Sequence, residues 1–294
     1  MPVFLAGDAN YAPYIGTCLY SILENSAARY VFYLLVPPEF DQSGKRSLQK
    51  LTRLYPNCRL KFINMGGHFK QIKLKIAHIT YPTYYRLLIA ELFPELDKCI
   101  YLDADMIACG DLGELYAQNI DGCYLGAVKT PYVYLDRGGP AFLRSIGLQR
   151  CQTYFNAGVL LLNLKKIRED NLTAVFQKLI ARRLPTQDQD ILNIACGDKV
   201  KLLDYKYNCK PKYLTERKKL YPLFGRRMIE EAYRRPVLIH YSNKIKPWQT
   251  PLTAYFWLSA SRSPFYADIL ARNMQAKPLP QPKPSFWRRF FPAA

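Results

Sequence analysis

Two aspartates with one residue between them, Asp103 and Asp105, follow the apolar run from Cys99 to Leu102. The run predicts a buried strand, so both carboxylates would lie at its carboxyl end. In open α/β sheets ligands bind at that end, and burying carboxylates there is costly without a cation. Hard oxygen donors at this spacing suit a divalent cation that holds phosphates. Such a pair also arises by chance, so a solvated turn after the strand is the alternative.

Four further polar features follow predicted strands or begin predicted helices. They are Asp8 to Tyr11, Asn156 to Gly158, Asp188 to Asp190, and His240 with Lys246 and Trp248. Because ligand sites form where strand ends and helix starts meet, we expect all four to lie with the aspartate pair at one edge of the sheet.

The elements that must position these residues alternate between strands and helices. Apolar runs predict strands at residues 3–6, 30–36, 59–64, 99–102, 123–128, 154–163 and 236–241. Helical spacing predicts helices at residues 14–24, 41–55, 82–91 and 165–182, and another that begins at Thr186, a plausible cap. Residues 130–152 are predicted to be loop-rich. The β-α-β-α-β order at the start predicts an α/β fold with a doubly wound sheet.

The composition limits the class to which the protein can belong and the partners it can bind. The chain has 294 residues, 49% of them hydrophobic, which is enough for one large α/β domain. Its 42 basic and 23 acidic residues give a net charge of +19. A partner is therefore expected to be anionic: nucleic acid, an anionic membrane, or a phosphorylated substrate.

The cysteines and the hydropathy give expectations about location. Eight cysteines lie singly, without the spacing of zinc ligands, so free thiols in a reducing cytosol are expected. The amino terminus does not have the pattern of a signal peptide. No apolar stretch approaches the ~20 residues that a bilayer span requires, so we expect a soluble or peripheral protein.

As a set, the five polar features resemble the retaining glycosyltransferases of family 8, in particular the bacterial lipopolysaccharide and lipooligosaccharide galactosyl- and glucosyltransferases. The resemblance covers residues 1–260 approximately and implies one GT-A domain over residues 1–276. That domain would have a Rossmann-like, mostly parallel sheet with helices on both faces. The implied reaction is transfer of galactose or glucose from a UDP-sugar to a saccharide acceptor of the lipopolysaccharide core, with retention.

The resemblance also implies a metal site. Asp103 and Asp105 would bind the metal with His240 as the third ligand. An imidazole beside carboxylates favours Mn²⁺, although Mg²⁺ is possible. His68 and His78 lie in a polar link and are expected to be solvated. The alternative for His240 is a histidine whose hydrogen bonds are satisfied within the fold.

The roles at the nucleotide-sugar follow from the same resemblance. Asp8 and Asn10 would bind the uracil edge while Tyr11 stacks on the base. Lys246 would contact the diphosphate as a point charge. The family usually has glycine where this chain has Asn243, a residue type that tolerates positive φ. The alternatives are an Asx turn with a core tyrosine for the loop, and an ordinary surface lysine for Lys246.

The sugar would be held by a charged clamp and a pocket of small residues. The implied catalytic residues are Arg86, Asp188 and Gln189, with Gln189 beneath the anomeric carbon. The full donor-binding set that the resemblance implies is Asp8, Ala9, Asn10, Tyr11, Ala12, Pro13, Arg86, Asp103, Ala104, Asn156, Ala157, Gly158, Asp188, Gln189, Asn243 and Lys246. A purely structural ion pair and a simple strand start are the alternatives for the clamp and for residues 156–158.

The carboxyl-terminal segment, residues 277–294, is predicted to attach to an anionic membrane. It alternates prolines with lysines and ends in aromatic residues around Arg288 and Arg289. This predicts peripheral attachment at the cytoplasmic face of the inner membrane, near a lipid-linked acceptor. The alternative is a disordered tail or a strand that packs back on the domain.

Two other function classes remain open. A different UDP-sugar-utilising or nucleotidyl-transferring enzyme should carry a glycine-rich phosphate loop, and Gly7 to Asn10 is not one. A nucleic-acid-binding protein should interleave aromatics with lysines on one surface. Most aromatics here lie within apolar runs, so no nucleic acid partner is expected.

Overall fold

The computed structural model describes residues 1–72, 80–149, 153–250 and 253–275. Within them, strands form a seven-stranded sheet and a two-stranded ladder. The strands are β1 (Pro2–Ala6), β2 (Tyr30–Val36), β3 (Cys58–Asn64), β4 (Lys98–Leu102), β5 (Met106–Ala108), β6 (Leu125–Lys129), β7 (Phe155–Asn163), β8 (Val200–Leu202) and β9 (Leu238–His240).

The large sheet has the order β3-β2-β1-β4-β7-β6-β8. Its pairs are parallel except where β7 runs antiparallel to both β4 and β6. The mostly parallel, Rossmann-like sheet predicted from the sequence is therefore confirmed. The reversed β7 brings its first residues to the edge at which β1, β4 and β6 end.

Both faces of the sheet are buried, as continuous apolar strands require. Successive side chains of β1 point to opposite faces, so Leu5 joins one apolar layer and Phe4 the other. Helices cover each layer. They are α1 (Ala12–Glu24), α2 (Gln42–Leu54), α3 (Ile89–Leu92), α4 (Gly113–Tyr116), α5 (Tyr132–Leu135), α6 (Gly139–Ser145), α7 (Leu164–Glu169), α8 (Leu172–Ile180), α9 (Asp188–Cys196), α10 (Tyr221–Phe224), α11 (Arg226–Arg234), α12 (Ala254–Arg262) and α13 (Tyr266–Gln275).

Two predicted helices differ from the structure. Residues 81–88 form a 3₁₀ helix before α3. Arg86 Nε donates to the Thr83 carbonyl oxygen at 2.9 Å, an oxygen that would accept a backbone hydrogen bond in an α-helical turn. The predicted helix over 165–182 is divided into α7 and α8 at Asn171. Asn171 has φ 49°, a left-handed conformation that asparagine adopts more readily than most residues.

Two further local predictions were wrong. The segment predicted to be loop-rich contains the short helices α5 and α6. Thr186 does not cap a helix, because α9 begins at Asp188. Instead the Thr186 backbone N–H donates to Asp190 Oδ2 at 2.7 Å, so the acid two residues inside the helix accepts the bond.

No helix in the described ranges is long and apolar enough to cross a membrane. Seven of the eight cysteines fall in those ranges, and all seven are unpaired thiols. The eighth, Cys151, lies outside them, as does the predicted tail of residues 277–294.

The last two helices pack on α1 through a single glycine. A Cβ added at Gly16 would lie within 3.0 Å of the ring of Phe265, which is fully buried. We expect Gly16→Ala to destabilise the fold by about 1–2 kcal/mol, because overpacking outweighs the helix preference of alanine. Thermal unfolding of the full chain measures this.

Gly67→Ala is the control, because its added methyl group meets no atom within 4 Å. A second variant, Phe265→Leu, should make the Gly16→Ala substitution less costly if the ring is the obstacle. A stabilised Gly16→Ala variant would contradict this packing.

Candidate active site

A cavity of about 390 Å³ opens at the edge of the sheet where β1, β4 and β6 end and β7 begins. It brings together residues that are far apart in the sequence. Its lining includes Gly7, Tyr11, Arg86, Asp103, Ala104, Asp105, Thr130, Tyr132, Asn156, Ala157, Gly158, Thr186, Asp188, Gln189, Lys210, Lys212, His240 and Lys246. Each of the five polar features predicted to share one edge contributes at least one residue to this lining.

Asp103, Asp105 and His240 form a cluster whose nearest ligand atoms all lie within 4.8 Å of one another. The ladder between β5 and β9 creates it, because Met106 pairs with His240 directly after Asp105. His240 Nε2 lies 3.3 Å from Asp105 Oδ1 and 3.7 Å from Asp103 Oδ2. Asp105 and His240 are buried, whereas Asp103 is partly exposed to the cavity.

The hydrogen bonds around His240 leave its Nε2 free for a metal. Asn208 Nδ2 donates to Asn156 Oδ1 at 2.9 Å, so Asn208 Oδ1 accepts from His240 Nδ1, also at 2.9 Å. Nε2 then carries a lone pair that faces Asp105 Oδ1, and that oxygen has no hydrogen-bond partner among the described residues. Two lone-pair atoms this close repel unless a proton or a cation lies between them. The donor set therefore fits a divalent cation.

Cations already surround the two aspartates. Lys246 Nζ lies 2.6 Å from Asp105 Oδ2, and Arg86 donates to Asp103 Oδ1 at 2.8 Å. Burial alone would raise the pKa of Asp105, but Lys246, and His240 when it is protonated, hold it below its usual range. Burial lowers the pKa of Lys246, but Asp105, Tyr11 and Asp103 together raise it above its usual value, so the lysine stays charged.

Arg86 is the most tightly held side chain of the site. It lies 4.1 Å from the centre of the Tyr101 ring and donates to the Ala157 carbonyl at 2.5 Å. Its Nε lies 3.1 Å from Asp188 Oδ2, so the predicted charge pair is present. Burial raises the pKa of Asp188 to about 6, although Arg86 and a bond from Thr83 act in the opposite direction.

Gln189 belongs to a chain of hydrogen bonds that begins at His240. Its Oε1 accepts from Asn156 Nδ2 at 2.9 Å and from the Ala157 N–H at 3.1 Å. Its Nε2 donates to the Tyr154 hydroxyl at 3.0 Å, and that hydroxyl donates to Asp190 at 2.6 Å. Both acceptor positions of the amide oxygen are therefore occupied, which fixes the plane of the amide.

The predicted nucleotide loop is only partly in the cavity. Tyr11 lines it and packs edge-on against Trp248, with ring centroids 5.8 Å apart. Asp8 accepts from the Asn10 backbone N–H at 2.9 Å, which is the Asx turn considered as the alternative. The remaining predicted residues of the loop (Asp8, Ala9, Asn10, Ala12 and Pro13) do not line the cavity.

Asn243 also lies outside the cavity lining, although its neighbour Ser242 belongs to that lining. The side chain is exposed, and φ is not positive. Asn243 therefore does not adopt the positive φ that this residue type tolerates. Positive φ occurs instead at Gln187, directly before the predicted clamp residue Asp188, with a φ of 56°.

Sequence reasoning missed several residues that hold the site together. Asn208 orients His240, Tyr154 supports Gln189, and Thr130 lines the cavity with a hydroxyl that has no partner among the described residues. Lys210 was also missed, although it lines the cavity and is 5% exposed. Of these residues, only Lys210 could have been identified from the sequence, because it lies between Cys209 and Pro211 and follows a buried segment.

A family comparison decides the class of the protein. The model of Glycosyl transferase family 8 matches residues 2–251. The chain belongs to this family. The match spans β1 to Lys246, so it includes every residue described in the cavity.

Individual relatives are named as glycosyltransferases, and the alignments with them cover different shares of each chain. The chain is 33% identical over 218 residues to "Putative glycosyltransferase" of Haemophilus influenzae, across 72% of this chain and 64% of that protein. It is 28% identical over 269 residues to the lipopolysaccharide 1,2-glucosyltransferase of Escherichia coli, across 89% and 75%. The alignment thus spans less than two thirds of the first relative's length.

A solved structure confirms the architecture. The chain matches an active-site mutant of LgtC with a TM-score of 0.74 and 25% identity, across 90% of this chain and 96% of that one. The GT-A expectation from the sequence is confirmed by this match.

Gly158 keeps space open for the metal cluster. A Cβ added there would lie under 3.0 Å from His240 Cε1 and 2.7 Å from Asp103 Oδ2. We expect Gly158→Ala to weaken Mn²⁺ and Mg²⁺ binding by about tenfold or more, because it displaces ligands without removing any. Metal titration by calorimetry measures the change.

Gly110→Ala is the matched control, since its added methyl group would make only ordinary contact with Val237 at 3.6 Å. Equal metal affinity in the Gly158→Ala variant and the wild type would contradict the assignment of this cluster.

Proposed function

We propose that the protein transfers galactose or glucose from a UDP-sugar to a saccharide acceptor, with retention at the anomeric carbon. One observation carries the proposal. A three-ligand cation site lies in a cavity beside Lys246 and the buried Arg86–Asp188 pair, in a chain of family 8. A nucleoside diphosphate needs this combination of a divalent cation and fixed positive charge.

Asp103, Asp105 and His240 would hold the metal. The imidazole favours Mn²⁺ over Mg²⁺, which prefers ligand sets made entirely of oxygen. When bound, the ion would neutralise charge on the departing diphosphate. Lys246 would add a second charge there, because its ammonium group already lies at Asp105.

Arg86 and Asp188 would hold the donor sugar. Arg86 is fixed on several sides, so it presents its remaining hydrogen-bonding capacity in one orientation. Asn156, Ala157 and Gly158 would line the pocket, with small residues that leave space for the sugar ring. Asp8, Asn10 and Tyr11 would bind the uracil. Either the Asx turn opens first, or the turn persists and Asp8 uses an acceptor position that the turn leaves free.

Gln189 would orient the transition state rather than attack the sugar. Its amide oxygen accepts two hydrogen bonds, and an amide is a poor nucleophile. In a front-face reaction the bond from the anomeric carbon to the phosphate oxygen breaks as the acceptor oxygen attacks from the same side. The departing phosphate oxygen takes the proton of the acceptor hydroxyl, so no separate side-chain base is required.

The proposed acceptor is a saccharide of the lipopolysaccharide core. A relative that shares 28% identity over 269 residues is named as a lipopolysaccharide glucosyltransferase, which supports this class. The acceptor would be lipid-linked, so the enzyme would work at the cytoplasmic face of the inner membrane.

Replacement of one ligand tests the proposal most simply. We expect Asp105→Asn to lower sugar transfer more than ~10³-fold, because the cation loses one ligand charge while the side-chain shape is kept. The measurement is UDP release from UDP-galactose and UDP-glucose with Mn²⁺, with Mg²⁺ and with a chelator. The product from the better donor is then analysed by NMR for its anomeric configuration.

Asp121→Asn is the matched control, because Asp121 is exposed and lies outside the cavity. Circular dichroism checks that both variants are folded. Release of UDP at the wild-type rate by Asp105→Asn, or by the wild type in the chelator, would refute the metal-dependent mechanism. An inverted product would refute retention.

We also propose that residues 277–294 attach the enzyme to an anionic membrane. Their four basic residues would contribute about 4 kcal/mol at an anionic leaflet, and Trp287 and its aromatic neighbours would insert. The structure supports the location of the contact, because Leu258, Leu270 and Met274 are exposed on the two helices before the segment.

Sedimentation with liposomes tests the attachment. The full chain should bind anionic vesicles more tightly than neutral ones, and deletion of residues 277–294 should remove most of that binding. A variant with alanine at Phe286, Trp287, Phe290 and Phe291 separates aromatic insertion from charge. Equal sedimentation of the full and shortened chains would rule out attachment through this segment.

A further inference from the structure

Two lysines of the cavity have no function in the site described above. Lys210 directly precedes a 3₁₀ helix over Pro211–Tyr213 and Lys212 lies within it, and both lysines line the cavity. Neither ammonium group has a carboxylate partner among the described residues; Lys212 Nζ lies over the Tyr213 ring, 4.7 Å from its centre. A buried lysine without an acidic partner is unusual, because burying a charge is costly.

The carboxylates of the cavity do not require these lysines. Asp103 pairs with Arg86, Asp105 pairs with Lys246, and Asp188 pairs with Arg86. Burial, together with Lys212, lowers the pKa of Lys210 to about 7 against the opposing effect of Asp105 and Asp103. The charge of Lys210 is thus poorly compensated within the described protein, and an incoming anion would compensate it.

The lysine segment is tied to the β7 side of the cavity, whereas Tyr11 of the nucleotide loop lies on the β1 side. Along the sheet edge, Tyr11 follows β1, Asp103 follows β4, Asn156 lies in β7 and Thr130 follows β6. Neighbouring strands are about 4.8 Å apart, so the β6 end lies roughly 14 Å from the β1 end. Asn208, two residues before Lys210, bonds to Asn156 of β7 and to His240, which places the lysine segment beside β7 and the Asp103–Asp105–His240 cluster.

The β6 end also offers a group for a sugar hydroxyl. Thr130 is 1% exposed and lines the cavity, and its hydroxyl has no hydrogen-bond partner among the described residues. Unpaired buried hydroxyls are uncommon, and each is explained most simply by a ligand or a water molecule. This hydroxyl and the two lysines are therefore independent signs of a polar ligand in the cavity besides the nucleotide-sugar.

We propose that Lys210 and Lys212 bind an anionic group of the saccharide acceptor, a phosphate or a carboxylate. The inference rests on the proposed function, because it assigns the β1 and β4 end of the cavity to the nucleotide-sugar. An ammonium group suits either anion as a point charge. The acceptor would then be selected by its charge as well as by its hydroxyl groups.

Binding of small anionic sugars to the full chain tests the inference. The chain is saturated with UDP and Mg²⁺ so that the donor end is occupied. Glucose 6-phosphate, glucuronate and glucose are then titrated by ligand-observed NMR. We expect at least one anionic sugar to bind about tenfold or more tightly than glucose, as charge-assisted hydrogen bonds require. The better of the two anionic sugars identifies the group as phosphate or carboxylate.

The variants Lys212→Gln and Lys210→Met should each reduce that preference by about tenfold. Lys50→Gln removes one exposed charge on α2, outside the cavity, and is the control for net charge. The Kd of UDP in the presence of Mg²⁺ is measured for every variant. Because Lys212 is exposed, its variant should fold even if the substitution of buried Lys210 does not.

The outcomes separate the two proposals. Equal affinity for glucose and both anionic sugars would overturn the acceptor assignment. A weaker UDP affinity in the lysine variants, with unchanged anionic sugar binding, would also overturn it, because the lysines would then serve the donor. Failure of the wild-type chain to bind UDP would contradict the proposed function itself, while the sugar titration without UDP would still report on the lysines.

Discussion

The structure depends on placing three carboxylates at one sheet edge and surrounding them with positive charge. Asp103, Asp105 and Asp188 come from a strand end, a strand connection and a helix start, and without cations they would repel one another. Arg86 joins two of them, which explains why the chain from Tyr81 to Leu88 forms a 3₁₀ helix and carries the guanidinium inward. The fold thus builds a preorganised site that, under the proposed function, would receive a metal and phosphates.

A chain of side-chain amide groups connects the Asp103–Asp105–His240 cluster to the proposed sugar pocket. It runs from His240 through Asn208 and Asn156 to Gln189, and each bond fixes the orientation of the next amide. Such a chain sets the tautomer of His240 and the plane of Gln189 at the same time. A change at Asn208 would therefore be felt at both ends, although this residue touches neither the metal nor the sugar in the proposed reaction.

The sequence was sufficient for the sheet and for the grouping of Asp103, Asp105 and His240, because these depend on apolar runs and on the residues that follow them. It was insufficient where long-range contacts override local propensity, as at Arg86, which turns a predicted α-helix into a 3₁₀ helix. It also failed for Asn208 and Thr130, whose roles arise only when His240 at the end of β9 and Thr130 after β6 reach the same cavity. At the nucleotide loop the sequence allowed two interpretations. The spacing of residues is compatible with a local Asx turn as readily as with a ligand contact, and in the structure Asp8 forms the Asx turn.

The central claim is that Asp103, Asp105 and His240 together hold a divalent cation that receives the diphosphate. Anomalous diffraction at the manganese edge, from crystals of the full chain with Mn²⁺ and UDP, tests it most directly. The account predicts one strong peak bonded to all three side chains and to phosphate oxygen, with Lys246 turned from Asp105 toward the diphosphate. A peak elsewhere, or UDP bound in the cavity without a metal at these ligands, would contradict it.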